Sequence, residues 1–161
     1  MKKVMLIGLL PIFMGSSNTP ELEVCYEETI IELEAKDIKP ITTDDELVSA
    51  LIMVESRGND SAVGDKHLVG NEAIGALQIR PIMVREVNRI LKLQKSNKRF
   101  TLKDRFERDK SIEMFYIWKN WHHKNDNAEV TARCWNGGGS GYKMKSTIKY
   151  WNKVEKQLNN E

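Results

Sequence analysis

One carboxylate and two amides stand out as side chains whose types and spacing could do chemistry. Glu55 follows the largely apolar residues 47–54, Gln78 ends the segment Gly75-Ala76-Leu77-Gln78, and Asn136 precedes the glycine run Gly137-Gly138-Gly139. Apolar surroundings raise the pKa of a carboxyl group, so that it can still donate a proton near neutral pH. Amide side chains beside glycines can hold polar groups of a bound molecule. The set therefore indicates general acid catalysis on a polar substrate.

Cleavage of a glycosidic bond is one reaction that needs such an acid. The leaving oxygen requires a proton while positive charge develops at the sugar carbon. Glu55 follows Leu51 by four residues and Ile52 by three, which in a helix puts its carboxylate against the apolar side. From its position alone, Glu55 is equally consistent with an exposed residue at a helix end. The neighbouring motifs favour catalysis.

The helix that carries Glu55 has a clear start signal. Thr43-Asp44-Asp45-Glu46 fits a capping box, in which the threonine hydroxyl accepts from the backbone and the glutamate reaches back. We therefore predict a helix over residues 44–56, ended by Gly58. Its many apolar residues predict a central position in the fold.

Helical spacing of apolar residues continues through the rest of the chain. It predicts further helices that begin at Pro81 and over residues 109–121, 126–135 and 143–158, with Asp126 and Glu129 in cap positions. No long stretch alternates strictly enough to demand a strand, although residues 63–74 could form a small hairpin. The predicted fold class is mainly α, with five or six short helices and room for a minimal β-hairpin.

Three short motifs follow one another in the order Glu55-Ser56, Gly75-Ala76-Leu77-Gln78 before Ile79-Arg80-Pro81, and Cys134-Trp135-Asn136-Gly137-Gly138. Together they make the chain resemble the lytic transglycosylases of the soluble-lytic-transglycosylase type, within the lysozyme-like superfamily, over nearly all of its globular part. The resemblance implies a lysozyme-like fold, a peptidoglycan substrate and no cofactor. The chain departs from the family pattern at Trp135, which replaces the usual tyrosine, and at Phe115, where related helices often have glycine.

The resemblance also implies roles for individual residues. Glu55 would act first as general acid and then as general base. Gln78 and Asn136 would present amides to N-acetyl groups or to the glutamate. Ser56 would orient the glutamate or contact the sugar that bears the peptide, unless its hydroxyl merely caps the helix.

Aromatic side chains can stack on sugar faces, although at helical spacing they more often belong to a core. Trp135 and Tyr142 are the candidates for stacking on the substrate. Trp118, Trp121 and Trp151 are predicted to lie in the core.

Three functional outcomes are open at this point. With Glu55 alone, the resemblance implies cleavage of the β-1,4 bond between N-acetylmuramic acid and N-acetylglucosamine, with formation of a 1,6-anhydro end. If Asp60 or Asp65 faces Glu55 across the cleft, it could activate water and make the protein a hydrolysing muramidase, or lysozyme. The third alternative is a non-catalytic peptidoglycan-binding or assembly protein, which has no need of an acid on an apolar helix face.

The chain divides into three predicted parts. Residues 1–17 combine a basic start, an apolar run and small residues, and are typical of a signal peptide. Residues 18–40 form an acidic segment or linker, and residues 41–161 form the domain that carries the motifs. The apolar run is shorter than the roughly 20 residues of a membrane span, so we expect no stable span in the mature form, with a retained anchor as the alternative. Export to the periplasm or cell envelope is expected.

Charge is distributed unevenly along the chain. Residues 41–161 hold 21 Lys and Arg against 16 Asp and Glu, a balance of +5, whereas residues 18–40 are acidic. A basic domain would attract a polyanion such as the bacterial wall polymer. Peptidoglycan strands are the expected partner, with a secretion, conjugation or phage entry machine as a further one. Nucleic acid is not expected, because no motif typical of its recognition occurs.

Cysteines and histidines carry no functional prediction. A Cys25–Cys134 disulfide is left open, because sequence alone cannot place the two Cα atoms within bonding range. His67, His122 and His123 lack the spacing of a zinc site.

Overall fold

A computed structural model describes residues 42–159. These residues fall inside the predicted domain of residues 41–161. The predicted signal peptide, the predicted acidic segment and Cys25, one half of the possible disulfide, lie outside the described residues. None of the helices formed by residues 42–159 has the length and apolar character needed to cross a membrane.

The described chain is mainly α-helical, as predicted, with one small antiparallel sheet. Its helices and strands follow in the order α1 (Asp44–Ser56), β1 (Val63–Gly64), β2 (Ala73–Ile74), α2 (Pro81–Leu93), α3 (Arg108–His122), α4 (Ala128–Gly137) and α5 (Ile148–Leu158). Short 3-10 segments occur at Leu102–Phe106, Gly141–Lys143 and Lys145–Thr147. In the sheet, Val63 pairs with Ile74 and Gly64 with Ala73, so the predicted hairpin is confirmed.

Helix α1 begins and ends where the sequence predicts. The Thr43 hydroxyl accepts from the Glu46 backbone N–H at 3.2 Å, and the Glu46 carboxylate accepts from the Thr43 N–H at 2.7 Å. At the other end, Arg57 already adopts the left-handed conformation (φ 56°), one residue before the predicted terminator Gly58, which follows with φ 80°. The backbone N–H groups of Arg57 and Gly58 donate to carbonyls of the last turn, so these carbonyl groups at the helix end are hydrogen-bonded.

The apolar face of α1 lies in the centre of the core. Leu47, Val48, Ala50, Leu51 and Ile52 are buried, and Leu51 is fully inaccessible. They pack with buried residues of the other four helices, which include Val84, Val87, Met114, Phe115, Trp118, Ala132, Cys134 and Val154. Burial of each large apolar side chain stabilises the fold by roughly 1.5–3 kcal/mol, so this cluster fixes the position of α1 and of Glu55 at its end.

Two predicted helix starts are wrong. Helix α4 begins at Ala128, and its N-cap is Asn127, whose side chain accepts from the Val130 N–H at 2.9 Å. The predicted cap Asp126 instead accepts through Oδ2 from the ring nitrogen Nδ1 of His123 at 2.7 Å. Helix α5 begins at Ile148 instead of Lys143, because the preceding residues wind into two 3-10 turns.

The position of Trp121 also differs from the prediction. Trp121 is 43% exposed, whereas Trp118 is buried and Trp151 is partly buried against the core. The buried face of α3 is centred on Ser111, Phe115 and Trp118. At about 100° per residue, Trp121 falls at the edge of that face and in the last turn of the helix, where less of the protein covers it.

Candidate functional site

A cleft of about 410 Å³ lies beside the C-terminal end of α1. Its walls come from α1, the hairpin, the start of α2 and the end of α4. Four of the six predicted site residues line it: Glu55, Gln78, Trp135 and Asn136. Asp65, Arg80, Ile82 and Met83 also line this cleft. The fold therefore brings together side chains that are up to about eighty positions apart in the sequence.

Glu55 is held in the cleft by a contact that the sequence analysis missed. The Tyr150 hydroxyl, from α5, donates a hydrogen bond of 2.7 Å to Oε1 of Glu55. Burial raises the pKa of the Glu55 carboxyl, the Tyr150 hydrogen bond lowers it, the charge of Asp65 raises it, and the charge of Lys153 lowers it. The net direction is upward, so Glu55 keeps its proton to a higher pH than an exposed glutamate does.

Tyr150 itself stays a proton donor. Burial, together with the negative charge of Glu55, raises the pKa of the Tyr150 phenol well above its ordinary value. The sequence offered one signal of this contact. Tyr150 stands next to Trp151 in the last predicted helix, and a tyrosine hydroxyl that is buried there needs a hydrogen-bond partner. The partner could not be identified from sequence, since it lies on the first helix of the domain.

Asp65 and Arg80 lie on the same cleft and form an ion pair through Oδ2 and Nη2. Arg80 Nη1 also donates to the Asn71 carbonyl at 3.4 Å. Asp65 has a positive φ of 49°, so the backbone there turns sharply within the hairpin connection. Arg80 was seen in the sequence only as a neighbour of the glutamine motif, and its role in the cleft was not predicted.

The other predicted second carboxylate, Asp60, does not line the cleft. Its Oδ1 accepts from Nε of Arg108, at the start of α3, at 2.9 Å. Of the two candidates, only Asp65 is therefore placed to act on a molecule bound beside Glu55.

Gln78 lies in a tight turn, and two neighbouring positions, Gly75 and Gly64, have no room for a larger side chain. Gly75 has φ 81°, and a Cβ atom added there would lie 1.8 Å from the Arg105 carbonyl oxygen. At Gly64, an added Cβ would lie 2.3 Å from Oε1 of Gln78. The Gln78 amide nitrogen donates to the carbonyls of Gly75 at 3.0 Å and Ala62 at 3.4 Å. With its nitrogen used by the backbone, Gln78 has its oxygen left as an acceptor for a ligand.

Trp135 and Asn136 form the end of α4 on the opposite side of the cleft. Trp135 is half-buried, and its ring meets those of Phe115 and Trp118 edge-on, each at 5.2 Å between centroids. Asn136 is exposed, and its side chain forms no hydrogen bond with other residues of the range 42–159. The cleft therefore offers one rigid aromatic surface and one amide free to bond a ligand.

Ser56 and Tyr142, the remaining predicted site residues, do not line this cleft. The Ser56 hydroxyl donates to the Ile52 carbonyl at 3.2 Å, which is the helix-end role left open by the sequence. Tyr142 lies in the 3-10 turn Gly141–Lys143, is 41% exposed, and has Lys143 Nζ 5.3 Å from its ring centroid.

A second and larger cavity, of about 510 Å³, lies at the other end of α1. It is bordered by Thr43, Glu46, Lys119 and Trp151, among others, and by none of the predicted site residues. Of its carboxylates, Glu46 caps α1 and Asp44 pairs with Lys119 at 2.7 Å. The smaller cleft is the better candidate site, because it holds the one carboxyl group within residues 42–159 whose pKa is raised.

Within residues 42–159, no group of three or more His, Cys, Asp or Glu side chains is placed to hold a metal ion. His122 and His123 instead contact the carboxylates of Glu86 and Asp126, each at 2.7 Å. No protein-family model matches the chain, and no curated protein matches its sequence.

Proposed function

We propose that the protein is a peptidoglycan lytic transglycosylase, which cleaves the β-1,4 bond between N-acetylmuramic acid and N-acetylglucosamine. The observation that carries the proposal is the state of Glu55: a carboxyl with a raised pKa, on the wall of a cleft, bonded to Tyr150 at 2.7 Å. A general acid for glycoside cleavage needs this combination of a retained proton and access to the substrate.

In the first step, protonated Glu55 gives its proton to the bridging oxygen as the bond from that oxygen to the anomeric carbon breaks. The N-acetyl group of the muramic acid assists departure. Because Tyr150 bonds to Oε1, Oε2 of Glu55 is the oxygen available to carry the transferred proton. Glu55 is then an anion, which the Tyr150 hydrogen bond stabilises.

In the second step, the Glu55 carboxylate takes a proton from the 6-hydroxyl of the same muramic acid. That oxygen bonds to the anomeric carbon and closes a 1,6-anhydro ring, so Glu55 is protonated again and no water is consumed. The reaction is favoured by proximity, because the nucleophile already belongs to the reacting sugar. No cofactor takes part in either step.

The other residues of the cleft suit binding of an acetylated sugar. Gln78 presents an amide oxygen, which can accept from the N–H of an N-acetyl group, and Asn136 presents a free amide. The aromatic rings behind Trp135 hold it rigid, so its exposed face can stack on a sugar at little entropic cost. These contacts support a glycan substrate over other polar substrates.

Hydrolysis is the second candidate outcome, and Asp65 is the observation in its favour. Asp65 lines the cleft, and its charge raises the pKa of Glu55. It could activate a water molecule against the anomeric carbon, as an inverting glycosidase does. Against this, the Arg80 guanidinium already pairs with Oδ2 of Asp65, so that oxygen is engaged by a protein side chain and not by a water molecule. We therefore favour transglycosylation.

The setting that follows from this proposal is the periplasm or cell envelope, reached through the predicted signal peptide of residues 1–17. Peptidoglycan strands are the proposed partner. A secretion, conjugation or phage entry machine that must pass the wall is a second one. No nucleic acid partner and no membrane span in the mature form are proposed.

The deciding experiment is mass spectrometry of muropeptides released from purified peptidoglycan. Products one water lighter than reducing-end muropeptides are expected, and Glu55→Gln should release none while still binding the wall. Glu107→Gln is the matched control, because Glu107 is exposed and its one ion pair within residues 42–159 is with Lys110, at 3.0 Å. Reducing ends would instead favour the hydrolase, and full activity of Glu55→Gln would refute the assignment of the acid.

A further inference from the structure

The second cavity, of about 510 Å³, lies at the N-terminal end of α1 and is here called the N-terminal cavity. Its walls come from the first turns of α1 and α4 and from the last turns of α5. The length of α1 separates it from the candidate active site, by about 18 Å between Thr43 and Glu55. Its volume is in the range typical of small-molecule sites. The N-terminal cavity is therefore large enough to hold a ligand of its own.

Thr131 supplies a hydroxyl group to the wall of this cavity. Its side chain is fully buried, and its Oγ1 has no hydrogen-bond partner among residues 42–159. In a helix, a threonine hydroxyl commonly bonds the carbonyl three or four residues before it. Because Thr131 makes no such bond, its hydroxyl is left over by the backbone of α4. A buried polar group without a partner costs free energy, which a ligand that bonds this hydroxyl would recover.

The wall of the N-terminal cavity carries more negative than positive charge. Among the described residues that line it, Lys119 is the one basic residue, against the five carboxylates of Asp44, Glu46, Asp126, Glu129 and Glu155. Lys119 pairs with Asp44, while Asp126 and Glu129 have basic partners outside the wall. Glu46 accepts from a backbone N–H, which carries no full charge. The excess of carboxylates favours a cationic ligand.

Trp151 gives the same cavity an aromatic wall. Its side chain is half-buried and packs against the core, and Leu47 and Leu158 add aliphatic surface to the lining. The face of a tryptophan ring attracts ammonium groups, and aliphatic side chains suit a hydrocarbon stem. The hydroxyl oxygen of Thr131 and the carboxylates can both accept from N–H donors. The lining therefore fits a ligand that is cationic at one end and apolar along its length.

We propose that the N-terminal cavity binds a primary ammonium group on a short apolar stem, as found at the end of a lysine side chain or in a free diamine. The ammonium group donates to the Thr131 hydroxyl oxygen and to a carboxylate of the wall, and the stem lies against Trp151. This site goes beyond the proposed function, because it does not depend on what the cleft beside Glu55 binds.

The first test titrates the nitrogen-15-labelled full chain with n-pentylammonium, and with 1-pentanol and pentanoate as probes of the same length. The amide signals of Ala128 and Thr131 and the indole signal of Trp151 should shift with n-pentylammonium. Affinity for the other two probes should be roughly tenfold lower, because neither carries a cation. If 1-pentanol binds as tightly as n-pentylammonium, or if no probe shifts these signals, the proposal is wrong.

Thr131→Val tests the hydroxyl, because valine has nearly the same shape and lacks only that group. Since the hydroxyl bonds no residue of the range 42–159, the melting temperature should stay the same or rise, while affinity for n-pentylammonium falls roughly tenfold. Thr147→Val is the matched control. The Thr147 hydroxyl is also buried but donates to the Gly141 carbonyl at 2.7 Å, so this change should lower the melting temperature and leave the affinity intact. Unchanged affinity in Thr131→Val would overturn the proposal.

Glu46→Gln tests the charge of the wall, because glutamine can keep the capping box of α1. Binding of n-pentylammonium should weaken by up to about fivefold, as for the loss of one charge contact. Glu107→Gln removes the same charge outside the N-terminal cavity and should bind like the parent. Equal weakening in the two variants would reduce the effect to general charge and would contradict a specific site.

Two further probes distinguish the sources of the amine. Nα-acetyl-lysine amide represents a lysine of a bound peptide, and 1,5-diaminopentane represents a free diamine. Both should bind if the proposal is correct, and the tighter of the two indicates the source; binding of neither would overturn it. None of these probes is a glycan, so Glu55→Gln should leave all the titrations unchanged. A failure to release muropeptides would refute the proposed function without affecting this site.

Discussion

Tyr150 donates a hydrogen bond to Glu55 across 95 positions of sequence, at 2.7 Å between the phenol oxygen and Oε1. The contact joins the last helix of the domain to the end of its first. The contact has two opposite effects on Glu55 as a general acid: one favours proton transfer, and the other works against retention of the proton. The hydrogen bond fixes the orientation of the carboxyl group, and it also lowers the pKa that burial has raised.

Replacement of Tyr150 by phenylalanine separates these two effects. Loss of the hydrogen bond should raise the pKa of Glu55 further, because the bond favours the ionised carboxylate. Since the first step needs protonated Glu55, the alkaline limb of the pH–rate profile should move to higher pH. The maximal rate should fall roughly tenfold, as the carboxyl loses its fixed orientation. Tyr142→Phe, which changes an exposed hydroxyl outside the cleft, should leave the profile in place.

Replacement of Asp65 by asparagine tests the outcome of the reaction. The charge of Asp65 raises the pKa of Glu55, so its removal should move the alkaline limb to lower pH. Products should remain 1,6-anhydro muropeptides if transglycosylation is the activity, and mass spectrometry reads this directly. Asp60→Asn, which disturbs a pair with Arg108 outside the cleft, is the control. Loss of all cleavage in Asp65→Asn, with Asp60→Asn active, would favour the hydrolase.

The raised pKa of Glu55 also predicts how stability depends on pH. The folded protein binds the Glu55 proton more tightly than the unfolded chain, whose glutamate has a pKa near 4.5. Stability from this group is therefore present below that value and is lost as pH rises through the folded pKa. Glu55→Gln should remove this loss and be more stable than the parent at about pH 8, whereas at about pH 4 the two should differ less.

Urea unfolding of the parent and of Glu55→Gln at about pH 4 and pH 8 measures this difference. Because Glu55 is part-buried, the effect is less screened than that of a surface carboxylate. A stability gain that is equal at both pH values would show that packing, and not the proton of Glu55, is responsible.

Gly75 should be among the least replaceable residues of the turn that carries Gln78. Alanine there would place its Cβ 1.8 Å from the Arg105 carbonyl oxygen, at a φ of 81°. We expect a loss of at least about 3 kcal/mol in the free energy of unfolding, since both the backbone and its neighbour must shift. Gly70→Ala is a matched control, because Gly70 has φ 78° and nothing within 4 Å. It should cost only about 1 kcal/mol.

Local signals in the sequence were sufficient to predict the helix of the candidate acid. The capping box at Thr43 and the apolar run before Glu55 act within a few residues, and α1 has the predicted bounds. The start of α5 depends on more distant contacts: the Thr147 hydroxyl donates to the Gly141 carbonyl at 2.7 Å, and Arg133 Nε donates to the Thr147 hydroxyl oxygen at 3.0 Å. Such contacts leave no periodic pattern, and the predicted helix therefore began too early.

The same distinction applies to the candidate site. Glu55, Gln78, Trp135 and Asn136 each belong to a short motif, and they line one cleft. Tyr150 belongs to no motif, because its importance arises from a partner on a different helix. Arg80 likewise gains a role only when the hairpin folds Asp65 against it.

Helix α5 serves the core through Val154, the candidate acid through Tyr150 and the solvent through its lysines. Insertion or deletion of one residue within it would rotate everything that follows by about 100°. No single compensating substitution could then restore all three faces. We expect the length of this helix to be far less tolerant of change than the identity of its exposed residues.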